Sequence, residues 1–309
     1  MVRDTLSYCL FRAAGALAPH VPASVGYRLA DRLGAVIYRV SPLRCHVEAN
    51  ISHVLGEPAG SPRVRQVARR IYGNQVKNYY DLLRLPALHE EDIRRCVRTL
   101  VGVEHLEAAL ARGRGVVLTS AHFGNFDLAG QILALRGYQV VAIAEHLQPE
   151  RLFEYVRRAR ESHGLSFIPI DGWLRPVFRA LRHNAIVGTA LDRNVTDAGR
   201  LVSFLGRPAR VPDGYARLAL RSGAALIVAF CRRSADNAFH IVVEPEIELE
   251  RTSDPDRSVE DAVQQVLSVF SRYLLRYPDQ WVYFQPLWVS DGDAAQVEGP
   301  GLGEAIDRG

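Results

Sequence analysis

Along the first 85 residues the apolar positions recur at helical spacing. Leu6, Leu10 and Phe11 fall on one face, and Leu29, Leu33 and Ile37 on another, with arginines between them. A third helical pattern over 64–83 brings in Tyr72, Tyr79 and Tyr80. From about residue 86 the pattern changes. Short apolar runs edged by Gly, Pro or charge predict strands at 115–119, 140–144, 166–169, 185–190, 225–231 and 239–244. Helical stretches come between them, at 126–135, 149–163, 173–183 and 214–222. A final helix over 259–277, with Ser258 as its expected cap, keeps Val263, Val266, Leu267, Phe270 and Leu274 on one stripe. This alternation predicts an α/β fold, with a mostly parallel central sheet flanked by helices and an N-terminal helical layer. The chain divides accordingly. Residues 1–85 form the helical segment and 86–290 the α/β domain, while 291–309 are acidic, glycine-rich and expected to be disordered.

Composition adds little until charge is located. The hydrophobic share, 48% of 309 residues, can bury a core. The formal charge of +4 is uneven: residues 1–85 carry +7 and residues 291–309 carry −4. A basic N-terminal third suits an anionic surface, either membrane or nucleic acid, unless the arginines simply face water. No nucleic-acid motif accompanies them, so a membrane with its helices lying in the interface is the expected partner. Arg12 interrupts the first apolar run and Pro19 and Pro22 end it, so no signal peptide is read. No stretch reaches the ~18 apolar residues of a spanning helix. The four scattered cysteines form no C-x-x-C pair, which favours a reducing compartment and gives no zinc spacing.

The stretch from Gly115 to Asp127 is the most informative. It reads as a strand, a tight turn carrying His122, and a helix that Asn125 can cap. Gly124 allows the sharp turn. Asp127 would sit in the first helical turn, where the helix dipole favours a carboxylate. A histidine beside a carboxylate is a general base with a fixed tautomer, so His122 is the expected base and Asp127 its orienting partner. No G-x-S-x-G element supplies a nucleophile, so the attacking group would be a substrate hydroxyl. Arg207 and Arg210 flank prolines in an expected loop, where guanidinium groups could hold a phosphate.

His122-Phe-Gly-Asn-Phe-Asp127 is similar to the HX4D/E motif of the lysophospholipid acyltransferase superfamily. Further blocks resemble its bacterial lipid A lauroyl/myristoyl acyltransferase and phosphatidylinositol mannoside acyltransferase branch. They are Glu145 with Pro149, Arg160 before Gly164, Phe167 to Asp171, Leu191-Asp-Arg-Asn194, Phe204 to Ala209, and Pro278 to Trp288. The resemblance implies that Arg160 lies near a substrate polar group and that Asp192 and Arg193 form a second active-site block. Gly124, Asn125, Glu145, Arg160, Asp192, Arg193, Arg207 and Arg210 are thus the expected substrate-binding residues. The implied activity is acyl transfer from a thioester, acyl-CoA or acyl carrier protein, to a hydroxyl of a membrane glycolipid or lysophospholipid. It implies no metal and no cofactor; the basic N-terminal segment without a spanning run adds the expectation of a peripheral enzyme on the cytoplasmic face of an anionic membrane. Two rivals remain at this point: a non-catalytic peripheral lipid-binding protein, and a metal-dependent hydrolase using His122 and Asp127 as ligands.

Overall fold

The structure, a computed structural model, describes residues 2–170, 174–194 and 199–289, with the side chains of 2–7 left aside. The expected tail at 291–309, the side chain of Leu6, and Asp171 and Trp173 lie outside what is described. Four helices come first: α1 (Val2–Leu17), α2 (Ala23–Val40), α3 (Arg44–Leu55) and α4 (Pro62–Arg84). Ser61 caps α4 by accepting the Val64 amide at 3.2 Å, with Pro62 in the first helical position. The short α5 (Glu90–Cys96) follows, then β1 (Val97–Val101), α6 (Val103–Leu110), β2 (Val116–Ser120), α7 (Phe126–Leu135) and β3 (Val140–Ala144). Next come α8 (Glu150–Glu161), β4 (Ser166–Pro169), α9 (Arg175–Arg182), β5 (Ile186–Ala190), β6 (Arg200–Phe204) and β7 (Arg207–Val211). The last elements are α10 (Gly214–Ser222), β8 (Ala225–Arg233), β9 (Phe239–Glu246) and α11 (Pro255–Arg276).

Seven strands form one sheet in the order β1-β9-β8-β2-β5-β3-β4. Every neighbouring pair is parallel except β8–β9. The central strands β2, β5 and β8 read as continuous apolar runs because helices cover both of their faces. The expected α/β class and mostly parallel sheet are therefore what the chain forms. Three elements differ from expectation. β1 pairs with β9 at the sheet edge and has mixed polarity. The β6–β7 pair is a separate antiparallel hairpin turned by Leu205 and Gly206, both at positive φ. The final helix starts at Pro255, capped by Asp254, whose carboxylate accepts the Asp256 amide at 2.9 Å. Ser258 lies inside that helix, buried, with its hydroxyl bonded to the Asp254 carbonyl.

α2 and α4 pack at very short range. A Cβ built on Gly34 would stand 2.6 Å from the Gly73 backbone, and Ala30 and Ala35 line the same contact face. A larger residue must push the helices apart. Gly34→Val should destabilise by about 1–3 kcal/mol through overpacking. Thermal unfolding should show this as a drop of several degrees; an unchanged Tm would mean that the two helices separate without cost.

Candidate active site

β2 and β5 run side by side at the centre of the sheet, with Thr119 opposite Thr189 and Ser120 opposite Ala190. Both leave at the C-terminal edge, where α/β folds gather their reactive groups. Their register continues beyond the strands, since the Leu191 amide donates to the Ser120 carbonyl at 3.0 Å. His122 stands two residues past Ser120, and Asp192 two past Ala190. They meet. Asp192 Oδ1 lies 2.8 Å from His122 Nδ1, and Oδ2 accepts the His122 amide at 2.9 Å.

The C-terminal segment closes this arrangement from below. Trp281 is buried, and its Nε1 donates to Asp192 Oδ2 at 2.9 Å. The Val282 amide donates to the His122 carbonyl at 2.7 Å, and the Gly124 amide to the Gln280 carbonyl at 2.7 Å. Gly124 has φ +57°, and a Cβ there would stand 1.7 Å from the Cys231 carbonyl oxygen. Only glycine fits that turn.

The Asp192 side chain is 1% exposed and that of His122 is 24% exposed. Burial pushes the Asp192 carboxyl up. The His122 ring and amide and the Trp281 indole pull it down, and the balance leaves it below the ordinary aspartate value. An ionised Asp192 holds the imidazole proton on Nδ1 and leaves Nε2 as an acceptor. No described residue bonds Nε2, and the ring meets Phe126 edge-on at 5.0 Å between centroids.

The expectation that Asp127 orients His122 is corrected by this geometry. Asp127 is engaged by Arg160 of α8, with Oδ1 2.9 Å from Nε and Oδ2 accepting from Nη2 at 3.0 Å. The cause is local: α7 begins at Phe126, so Asp127 lies on a helix surface facing α8. The His122 Nδ1, by contrast, faces the neighbouring strand. Arg160 also lies over the Phe167 ring, at 5.5 Å.

The other expected residues separate into groups. Asn125 is buried; its oxygen caps α7 through the Leu128 amide and its nitrogen donates to Asp81. Gly124 and Asn125 thus belong to the frame of the turn rather than to its open side. Glu145, just past β3, pairs with Arg193 at 2.6 Å, each about one-third exposed. Arg207 and Arg210 lie on the β7 strand, not in a loop. Arg210 donates to the Gly199 carbonyl and lines a cleft of about 450 Å³ with Asn194, Tyr283 and Gln285. Arg207 is exposed at the hairpin turn, close enough to His53 to help depress its pKa, after burial as the main cause. It is not among the residues lining the cleft. Sequence reasoning gave no such role to Trp281, Asn194 or Tyr283. The parallel register of β2 and β5 was the signal that could have paired His122 with Asp192. Among the described residues no group of three or more His, Cys, Asp or Glu could hold a metal ion. None of the described helices is long and apolar enough to cross a membrane.

The chain matches the profile of the bacterial lipid A biosynthesis acyltransferases over residues 3–290. It is 34% identical over 249 residues to a phosphatidylinositol mannoside acyltransferase of Mycobacterium tuberculosis strain H37Rv, covering 78% of this chain and 76% of that protein. A protein of the same name from Mycolicibacterium smegmatis is 32% identical over 247 residues, 78% of each chain. The lipid A biosynthesis palmitoleoyltransferase of Escherichia coli K12 is 24% identical over 186 residues, 59% of this chain and 58% of that one.

The charge state of Asp192 can be checked through stability. Its native pKa lies below the unfolded value, so its contribution is full above the ordinary aspartate value of about 3.9 and is lost as pH falls through the lower native value. Thermal unfolding of wild type and Asp192→Asn from about pH 6 to pH 3 should show the gap between them narrowing at the acid end. A constant gap would mean that Asp192 is not ionised in the native protein.

Proposed function

Because the chain belongs to the bacterial lipid A biosynthesis acyltransferase family, we propose that it moves a fatty acyl group from a thioester donor to a hydroxyl of a membrane glycolipid or lysophospholipid. The donor is acyl-CoA or acyl carrier protein. The observation that carries the reading is the His122–Asp192–Trp281 arrangement, with Nε2 open at the C-terminal edge of the sheet.

The acceptor hydroxyl gives its proton to His122 Nε2 as its oxygen bonds to the thioester carbonyl carbon. The carbonyl electrons move onto oxygen, and Asp192 stabilises the imidazolium that forms. Collapse of the tetrahedral intermediate breaks the carbon–sulfur bond. The departing thiolate takes the proton from Nε2, leaving an ester, a free thiol and the imidazole as it began. Asp192 takes the orienting role first expected of Asp127. Asp127 instead holds Arg160, which joins α7 to α8 beside the site.

No protein nucleophile is required. Cys231, beneath the turn, is fully buried, and burial pushes its thiol up to about 12. The Ser120 hydroxyl donates to the Ala121 carbonyl instead of facing the imidazole. Asn194 and Arg210 line the neighbouring cleft and offer donors to the sugar or phosphate portion of a substrate, while Arg193 is held by Glu145. The enzyme works peripherally on the cytoplasmic face, where its thioester donors are made.

His122→Ala should abolish turnover while shifting Tm by only a few degrees. Asp192→Asn should lower kcat by about 10²–10⁴, because the amide no longer fixes the tautomer. Asp127→Asn should have the smaller effect on kcat; a larger one would return the orienting role to Asp127. Mixing the protein with acyl donor alone and weighing it intact should reveal no acylated species. A stoichiometric adduct would replace direct transfer by a two-step route.

A further inference from the structure

The α2 helix is packed inside out. Its inner face, against α4, sets the small residues Gly26, Ala30, Gly34 and Ala35 between Tyr27 and Tyr38, whose rings meet Tyr80 and Tyr72 of α4. Its large aliphatic side chains point away. Val25, Leu29, Leu33, Val36 and Val40, together with Leu43 just beyond, are 42–75% exposed. At 100° per residue they make one continuous stripe, and Arg28, Arg32 and Arg39 lie side by side along one edge of it. All three arginines are exposed, and no ion pair engages them among the described residues. Ile37, at the other margin, packs on the core. The expected stripe of Leu29, Leu33 and Ile37 thus straddles the boundary between the two faces.

Single exposed leucines need no explanation, but a contiguous apolar stripe on a helix does. Its cationic edge narrows the choice of occupant. A second copy of this chain would set arginines against arginines, because the only acid on α2, Asp31, is engaged by Lys77 at 2.9 Å. An anionic bilayer offers both what the stripe needs, an acyl region, and what the edge needs, phosphate or carboxylate headgroups. We infer that the outer face of α2 is the docking surface for an anionic lipid bilayer. Only the choice of a bilayer as occupant leans on the membrane-lipid acceptor proposed above.

The fold connects this face to the site. Tyr27, on the inner side of α2, donates to Asp81 of α4 at 2.7 Å. Asp81 in turn accepts from Asn125, and Asn78 of α4 donates to the Gly124 carbonyl at 2.6 Å. Two helices, α2 itself and α4, therefore lie between the docked face and the turn that carries His122. Docking sets the depth and tilt of that turn above the lipid.

The test uses the full chain and vesicles of phosphatidylcholine with or without phosphatidylglycerol. Wild type should sediment with the anionic vesicles and less with the neutral ones. Arg28→Gln/Arg32→Gln/Arg39→Gln should weaken anionic binding by on the order of tenfold to a hundredfold and remove most of its salt sensitivity. Leu29→Ser/Leu33→Ser/Val36→Ser should weaken binding to both vesicle types. The six side chains face outward, so Tm should stay unchanged and a folding defect would be visible. Wild-type binding by both triple variants would overturn the inference. So would a wild-type dimer in sedimentation velocity that the serine variant turns into monomer, since a second copy would then own the face. Transfer to a short-chain, water-soluble acceptor should be the same in all three proteins. Its failure in wild type would count against the acyltransfer chemistry and leave the vesicle result standing.

Discussion

A carboxylate sealed from water beneath an imidazole is a costly thing to build, and the centre of this molecule is organised around the one at Asp192. A buried, ionised aspartate is tolerated only when donors replace the lost hydration. Three do so: the His122 amide, the His122 ring and the Trp281 indole. Each donor comes from a constraint that the fold must satisfy separately. The amide and ring need the β2 turn to run in register with β5. The indole needs the chain after α11 to return beneath the sheet edge. The parallel core, the tight glycine turn and the C-terminal segment are therefore parts of one requirement.

A second buried charge ties the helical layer to that centre. The Arg233 side chain, 2% exposed at the end of β8, meets Asp81 at 2.5 Å and Asn78 at 3.0 Å and lies over the rings of Tyr27 and Phe239. Its Nε and Nη1 find no hydrogen-bond partner among the described residues. Such a pair is weak as a source of net stability, because desolvation offsets most of the attraction. Its value here lies in placement. Removing either partner would strand the other in an apolar interior, so α4 cannot slide relative to the strand beside the His122 turn. Asn78 and Asp81 then fix Gly124 and Asn125, which is how the helical layer, through α4, holds the geometry of the turn that carries His122.

Much of this was legible in the sequence, and the failures have physical causes. Strands β3 and β4 and helices α7 and α10 begin and end where apolar period and flanking glycine or proline place them. Those are local signals. β1 and the β6–β7 hairpin were missed because their polarity is mixed and their pairing, not their composition, makes them strands. Ser258 resembled a cap, but Asp254 and Pro255 begin the helix one turn earlier. The Asp127 error is the most instructive. Closeness along the chain suggested contact with His122, yet the helix start at Phe126 turns that carboxylate toward Arg160. Contact across parallel strands joined residues seventy positions apart instead. Periodicity along one segment carries no information about register between two.

The arginines expected around His122 differ in how their charge is matched. Arg160 is matched by Asp127 and Arg193 by Glu145, so two carboxylates on the rim are already neutralised. Under the proposed chemistry this matters, because negative charge develops on the thioester oxygen as positive charge develops on His122. An unpaired acid near that oxygen would oppose the step, whereas Asp192, on the far side of the ring, favours the imidazolium without facing the oxyanion. Pairing the rim acids leaves Asp192 as the charge that acts on the base. Arg210 differs from the other two. Its guanidinium rests on a neutral carbonyl and meets no carboxylate among the described residues, and it faces the cleft shared with Asn194 and Tyr283. The cleft therefore retains a positive charge that no described carboxylate offsets. Under the proposed chemistry that charge suits an anionic or polyhydroxyl substrate, while Asp192 acts on His122 from its own buried position.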